Sequence, residues 1–158
     1  GTVRETMKRT GMKPSRLELE LTETAMMQDR DRAAAILREL AEMGISVAVD
    51  DFGTGYSNLS YLIDFSFGKL KIDRSFVSRI DTDTSSGAVV STIVGLSRAL
   101  GVGIIAEGVE TENQATLLRA AGCEVAQGYL FGRPAPLKIS AGQSAAPGSR
   151  EKLVANAH

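Results

Sequence analysis

Five short apolar runs, each closed by a polar residue and separated from the next by helix-like or loop sequence, constrain what this 158-residue chain can fold into. Leu17-Glu-Leu-Glu-Leu-Thr22 alternates as a half-buried strand does. Asp29 is placed to cap a helix with Ala33, Ile36, Leu37 and Leu40 on one face, stopped by Gly44. Ile45–Val49 is a second strand running into Asp50 and Asp51. A Gly/Ser loop and a short apolar turn lead to a third strand, Lys69–Asp73. A longer helix carries Ala88, Val89, Thr92, Ile93, Leu96 and Leu100 up to Gly101, and Val102–Ala106 is the fourth strand. Thr111 and Gln114 have capping-box spacing before a helix that ends at Gly122. Glu124–Gln127 is a fifth strand. Strand–helix alternation of this kind predicts a parallel sheet with crossover helices.

Composition narrows the chemistry. Lys and Arg number 18 against 19 Asp and Glu, so the net charge of −1 offers no pull toward a nucleic-acid polymer or an anionic membrane. No apolar run approaches the ~18 residues of a membrane span, and no leader pattern is expected. A lone Cys123 excludes an internal disulfide, and a single terminal His158 excludes His-dependent triads. Catalysis must then use carboxylates, Lys, amides or hydroxyls. From Lys138 onward Ala, Ser, Gly and Gln dominate, which predicts a flexible tail over residues 138–158.

Polar residues gather at the strand ends: Glu20, Thr22 and Glu23, then Asp50 and Asp51, then Lys71 and Asp73, then Glu107, then Gln127. In parallel α/β folds the ligand sits at that carboxyl edge. Glu20, Asp50, Asp51 and Glu107 are hard oxygen donors suited to Mg²⁺ or Mn²⁺. Adjacent aspartates can each ligate a different ion, as in two-metal phosphoesterases. Lys71 is suited to orient a water or stabilise charge developing on a phosphate. Three lookalikes carry less. Asp51-Phe52-Gly53 lacks a kinase's other motifs, Asp81–Gly87 departs from the EF-hand loop and reads as a helix cap, and Gly53-x-Gly55 is too short for a dinucleotide fingerprint.

Glu20-Leu-Thr-Glu23, Asp50-Asp-Phe-Gly-Thr-Gly-Tyr-Ser57, Leu70-Lys-Ile-Asp-Arg-Ser-Phe-Val77, Ala106-Glu-Gly-Val-Glu-Thr111 and Gln127-Gly-Tyr129 occur in that order. Together they resemble the EAL-domain family of cyclic di-GMP phosphodiesterases over about residues 1–137. The resemblance implies a TIM-like (β/α)8 barrel, of which this chain would hold about five βα units, and hydrolysis of cyclic di-GMP to 5′-pGpG. It implies that Glu20 and Asp50 hold one Mg²⁺ or Mn²⁺ and that Asp51, with Asp50 bridging, holds a second. Glu107 would organise the second site, and Lys71 would contact the nucleophilic water. Glu23 and Glu110 would support, Glu23 bracing the loop of Phe52, Gly53, Thr54, Gly55, Tyr56 and Ser57. Gln127 would reach the site from the last strand, and Asp73 would stand behind the ligands. Phe131 and Pro134 belong to a segment resembling the family's loop beside a guanine base.

The family's Glu-Ala-Leu motif and its metal-binding Asn would lie upstream of residue 1. Asn58 and Ser66-Phe-Gly68 depart from the family's usual residues. A non-catalytic receptor or regulatory domain is therefore the alternative to an enzyme. The expected setting is cytoplasmic. A five-strand piece would expose its sheet edges, so self-association or membership of a longer polypeptide is expected, with the piece alone inactive.

Overall fold

A computed structural model describes residues 2–55 and 62–135. Tyr56, Ser57, Asn58 and the 138–158 tail lie outside the described residues. Helix α1 (Thr2–Thr10) leads through a 3₁₀ turn (Pro14–Arg16) into β1 (Glu18–Thr22). Helices α2 (Glu23–Gln28) and α3 (Arg30–Glu42) connect it to β2 (Ser46–Phe52). Then come β3 (Lys69–Ile72), α4 (Arg74–Val77), α5 (Thr84–Leu100), β4 (Gly103–Ala106) and α6 (Glu112–Ala121).

The strands pair in parallel in the order β1-β2-β3-β4. Each new strand is added on the same side of the last, with no reversal of the kind that marks a doubly wound sheet. That progression is the winding of a TIM-like barrel, present here as an incomplete one. One face of the sheet is apolar. Val47, Val49, Leu70, Ile72 and Ala106 are buried beneath helical residues Leu37, Val90, Ile93, Val94 and Leu118. Each buried Val, Leu or Ile among them stabilises the fold by about 1.5–3 kcal/mol relative to its exposed state. The alternate positions on β1 and β3, namely Glu18, Glu20, Lys69 and Lys71, form the opposite, charged face. That face corresponds to a barrel's interior.

Local chemistry accounts for the helix limits. The Asp29 carboxylate accepts from Arg32 N–H at 3.1 Å and starts α3. Asp83 accepts from Ser85 and Ser86 N–H and starts α5, so the Asp81–Gly87 segment is a helix cap. The Thr111–Gln114 box is present at α6. Helices α5 and α6 end at left-handed Gly101 and Gly122.

One expectation needs correction, and two helices have no counterpart in the sequence reading. Glu124–Gln127 is not a strand. It contributes one parallel bridge, Ala106↔Ala126, with Ala106 N–H donating to Val125 O and Gln127 N–H to Ala106 O. β4 ends at Ala106, so later pairing falls on loop residues, where Val109 N–H meets Gln127 O. Helix α1 is unforeseen because Val3 and Met7 are its only apolar residues, too few to mark a period, and only Met7 is buried. Helix α2, of six residues, is too short to show a period and is set by its Thr22 cap, which accepts from Ala25 N–H at 3.3 Å.

Candidate metal centre and substrate cleft

Regular alternation would send neighbouring strand residues Asp50 and Asp51 to opposite faces. The β2–β3 register prevents this. Val49 pairs with Leu70 and Phe52 with Ile72, so both aspartates stand opposite the single residue Lys71. This is a β-bulge, a device that re-aims side chains. Asp51 adopts φ of 53°, a left-handed conformation that Asp tolerates better than most residues. Its N–H donates to Asp50 Oδ1 at 3.0 Å. As a result Asp50, Asp51 and Glu107 each present an oxygen within 4.8 Å of the others.

Lys71 enters this cluster from β3. Its Nζ lies 2.7 Å from Glu20 Oε1, 3.1 Å from Asp50 Oδ1 and 2.7 Å from Glu107 Oε1. Three acceptors satisfy its three N–H donors. The side chain is 5% exposed. Burial opposes its charge, but the hydrogen bonds to Glu107, Glu20 and Asp50 outweigh burial and hold the ammonium well above the ordinary lysine value. The carboxylates feel their own crowding. Burial pushes Glu107 up, with Asp50 and Glu20 adding to it and Lys71 opposing. Desolvation also raises Asp51, helped by Asp50 and Asp73. Four carboxylates thus share one ammonium, an arrangement that favours further positive charge. All the donors are hard oxygens, with no sulfur or imidazole. The set fits a Mg²⁺-class cation and not a soft metal.

The neighbouring groups position this cluster. Gln127 Nε2 donates to Glu107 Oε1 at 2.6 Å, so Gln127 reaches the site through Glu107. Glu23, 2% exposed, accepts from Gly53 N–H through Oε2 at 3.0 Å. A Cβ built on Gly55 would lie 2.9 Å from Glu23 Oε1. The Glu23 carboxylate is therefore folded into the loop that follows Asp51. Thr54 Oγ1 closes the turn by donating to Asp51 O at 2.9 Å, and Phe52 anchors it in the core at 3% exposure. Asp73 caps α4 by accepting from Ser75 N–H at 2.9 Å and also faces Asp51.

A cleft of about 370 Å³ opens on the Glu20, Lys71 and Glu107 side of the cluster, and Asp50 and Asp51 do not line it. Glu20, Lys71, Glu107, Glu110, Gln127 and Pro134 line it. Glu110 is exposed there, and its backbone N–H is held by Gln114 Oε1 at 2.8 Å. Phe131, expected beside Pro134, packs against the hydrophobic core and is not part of the cleft lining. Core burial is the more favourable place for an apolar ring. Arg74, Tyr129 and Arg133 also line the cleft; they lie in the motif segments, but the sequence assigns them no site role. Arg133 lies 4.4 Å over the Tyr129 ring. The position of Arg74, one residue past the polar end of β3, was the available signal.

Comparison with known proteins adds the relatives. The chain is 47% identical over 135 residues to the bifunctional diguanylate cyclase/cyclic di-GMP phosphodiesterase MucR of Pseudomonas aeruginosa, covering 85% of this chain and 20% of that protein. The solved PaMucR phosphodiesterase, in complex with c-di-GMP, superposes with a TM-score of 0.82 at 47% identity, over 85% of this chain and 54% of that one. Klebsiella pneumoniae BlrP1, solved as a manganese/cyclic di-GMP complex, gives 0.78 at 34% identity, over 84% and 34%. The chain spans about a fifth or less of the length of the first curated relatives it matches. The EAL domain model matches residues 1–134, which include the bulged aspartates, Lys71, Glu107 and the residues that line the cleft. By that match the chain belongs to the EAL-domain family.

Proposed function

We propose that this chain is part of a domain that hydrolyses cyclic di-GMP to 5′-pGpG with two Mg²⁺ or Mn²⁺ ions. The observation that carries the reading is the bulge that turns Asp50 and Asp51 together toward Glu107, with Lys71 tying Glu20, Asp50 and Glu107 into one cluster. The relatives that bind or cleave cyclic di-GMP support it. Glu20 and Asp50 would hold one ion, and Asp51, Asp50 and Glu107 the other. Bound there, the ions would supply Lewis-acid charge stabilisation and a more acidic water.

The remaining chemistry belongs to the protein. Water attacks phosphorus, its oxygen forms the new P–O bond, and the P–O3′ bond breaks. The O3′ oxygen leaves with a proton, giving a free 3′-hydroxyl and a 5′-phosphate. With part of its carboxylate contacts given over to the ions, Lys71 would direct an N–H at the attacking water or at the phosphoryl oxygen that gains charge, and Gln127 holds Glu107 in place. Glu23 keeps Asp51 at its angle through Gly53. Phe131 and Pro134 shape the loop beside a guanine, Pro134 from the cleft wall. Glu110, Asp73 and the loop from Phe52 to Ser57 support the ligands.

Among the described residues no helix is long and apolar enough to cross a membrane. With an intracellular dinucleotide messenger as substrate, the activity would be cytoplasmic. β1 is the outer strand of the described sheet, and association through it is part of the same reading.

The test uses the full-length polypeptide carrying the domain. Cyclic di-GMP turnover should require Mg²⁺ or Mn²⁺ and stop in EDTA. Ca²⁺ should inhibit, because it prefers longer bonds and looser geometry. Full activity in EDTA would refute the reading. Tight binding without turnover in any divalent ion would make the domain a receptor.

A further inference from the structure

Arg74 lines the same cleft as Lys71, Glu107 and Gln127. Four carboxylates line that cleft, from Glu18, Glu20, Glu107 and Glu110. Glu18 is taken by Lys69, and Glu20 and Glu107 by Lys71. The side chain of Arg74 makes no hydrogen bond or ion pair among the described residues, so its guanidinium is a charge without an internal partner. Arg133, the other cleft arginine, already stacks on Tyr129.

The stem of Arg74 is seated against the β4 exit. A Cβ built on Gly108 would come 2.6 Å from Arg74 Cβ and 3.5 Å from its Cα. Gly108 follows Glu107 directly, so α4 and the loop bearing a ligand carboxylate approach as closely as a residue without a side chain permits.

We infer that Arg74 holds the second, uncleaved phosphodiester of a cyclic dinucleotide while the carboxylate cluster works on the first. The inference rests on the function proposed above and goes beyond it. A cyclic dinucleotide carries two anionic phosphodiesters in one ring, and only one is cut when it opens to the linear product. The other must lie in a cleft rich in carboxylates, where it meets repulsion unless a cation faces it. Lys71 is committed to the carboxylate cluster and to the phosphodiester being cut. A planar guanidinium with five donors and no partner among the described residues matches a phosphodiester's two free oxygens. The assigned role is substrate holding, so its loss raises KM more than it lowers kcat.

The experiment compares wild type, Arg74→Ala and Arg74→Lys in the full-length polypeptide with two substrates. One is cyclic di-GMP. The other is bis(p-nitrophenyl) phosphate, which has a single phosphodiester. Arg74→Ala should lower kcat/KM for cyclic di-GMP on the order of 10-fold more than for the one-phosphate substrate, as for one lost charge-assisted contact in an open cleft. The dissociation constant for cyclic di-GMP in Ca²⁺ should rise by a similar factor. Arg74→Lys should recover part of the difference. Equal losses on both substrates would make Arg74 a structural residue, and no loss on either would make it a bystander. Either result overturns the inference while leaving the phosphodiesterase reading intact. Failure of the wild type to bind or cleave cyclic di-GMP would overturn the function itself and this inference with it.

Discussion

Lys71→Met removes one cation from three acidic partners at 2.7, 3.1 and 2.7 Å. Its side chain is 5% exposed, while those of Glu20, Asp50 and Glu107 are 36, 20 and 17% exposed. Breaking a fully buried pair costs about 3–5 kcal/mol, and an exposed pair contributes about 0.2–1 kcal/mol. The partly solvated carboxylates place this cluster between those limits, at about 2–3 kcal/mol. For a chain of this length that is a fall in Tm of roughly 5–10 °C. The pH dependence has a definite sign. The pKa of Lys71 is raised by folding, so its contribution is complete below the ordinary lysine value, including at pH 7.5. It would fade only under strongly alkaline conditions. In the variant, Glu107 loses the group that lowers its pKa and moves further up. Acidification then neutralises the uncompensated cluster, and the deficit should shrink between pH 7.5 and about 5. Circular-dichroism melts of both proteins at the two pH values, in EDTA, read this directly. Equal Tm values at pH 7.5, or a deficit that grows on acidification, would refute the reasoning. In the full-length polypeptide the same variant should lower kcat on the order of 10²-fold or more. An unchanged kcat would remove Lys71 from the mechanism.

Three further outcomes follow from the same geometry. Asp51→Asn should slightly raise Tm without metal at pH 7.5, because folding raises the Asp51 pKa and its ionised form is disfavoured above that value; it should also abolish the Tm gain that Mg²⁺ or Mn²⁺ gives the wild type, a gain that should shrink on acidification, since both Asp51 and Glu107 have raised pKa values. Glu23→Ala leaves the Gly53 N–H without its carboxylate acceptor and should cost about 1–3 kcal/mol by urea denaturation, with faster protease cleavage after Asp51; unchanged stability and cleavage would deny the bracing role. Gly108→Ala should destabilise more than Gly101→Ala, because both have φ near +70° but only the Cβ at Gly108 meets a neighbour, Arg74; equal losses would show that the contact relaxes without cost.

Much of this protein is legible in one dimension. Alternation in Leu17–Thr22, the apolar period of α3 and α5, and the caps at Asp29, Asp83 and Thr111 are short-range effects, set by side-chain spacing and a few backbone hydrogen bonds. The ordered strand-end residues, from Glu20 to Gln127, also show in the sequence, because parallel strands deliver their last residues to one edge. Their mutual geometry does not. Strand alternation predicts that Asp50 and Asp51 diverge, and only the offset of β2 against β3 turns both toward Glu107. The engagement of Lys71 by three acids, the hold of Glu23 on Gly53 and the weakening of the fifth strand to one bridge join residues 20 or more positions apart. Motif order said that Arg74 follows Asp73; the closeness of Gly108 and the shape of the cleft decided where its charge is available. Local patterns determine elements and their ends, whereas register and close backbone approach are collective properties of the packed sheet. They are what turn a row of strand-end residues into a site.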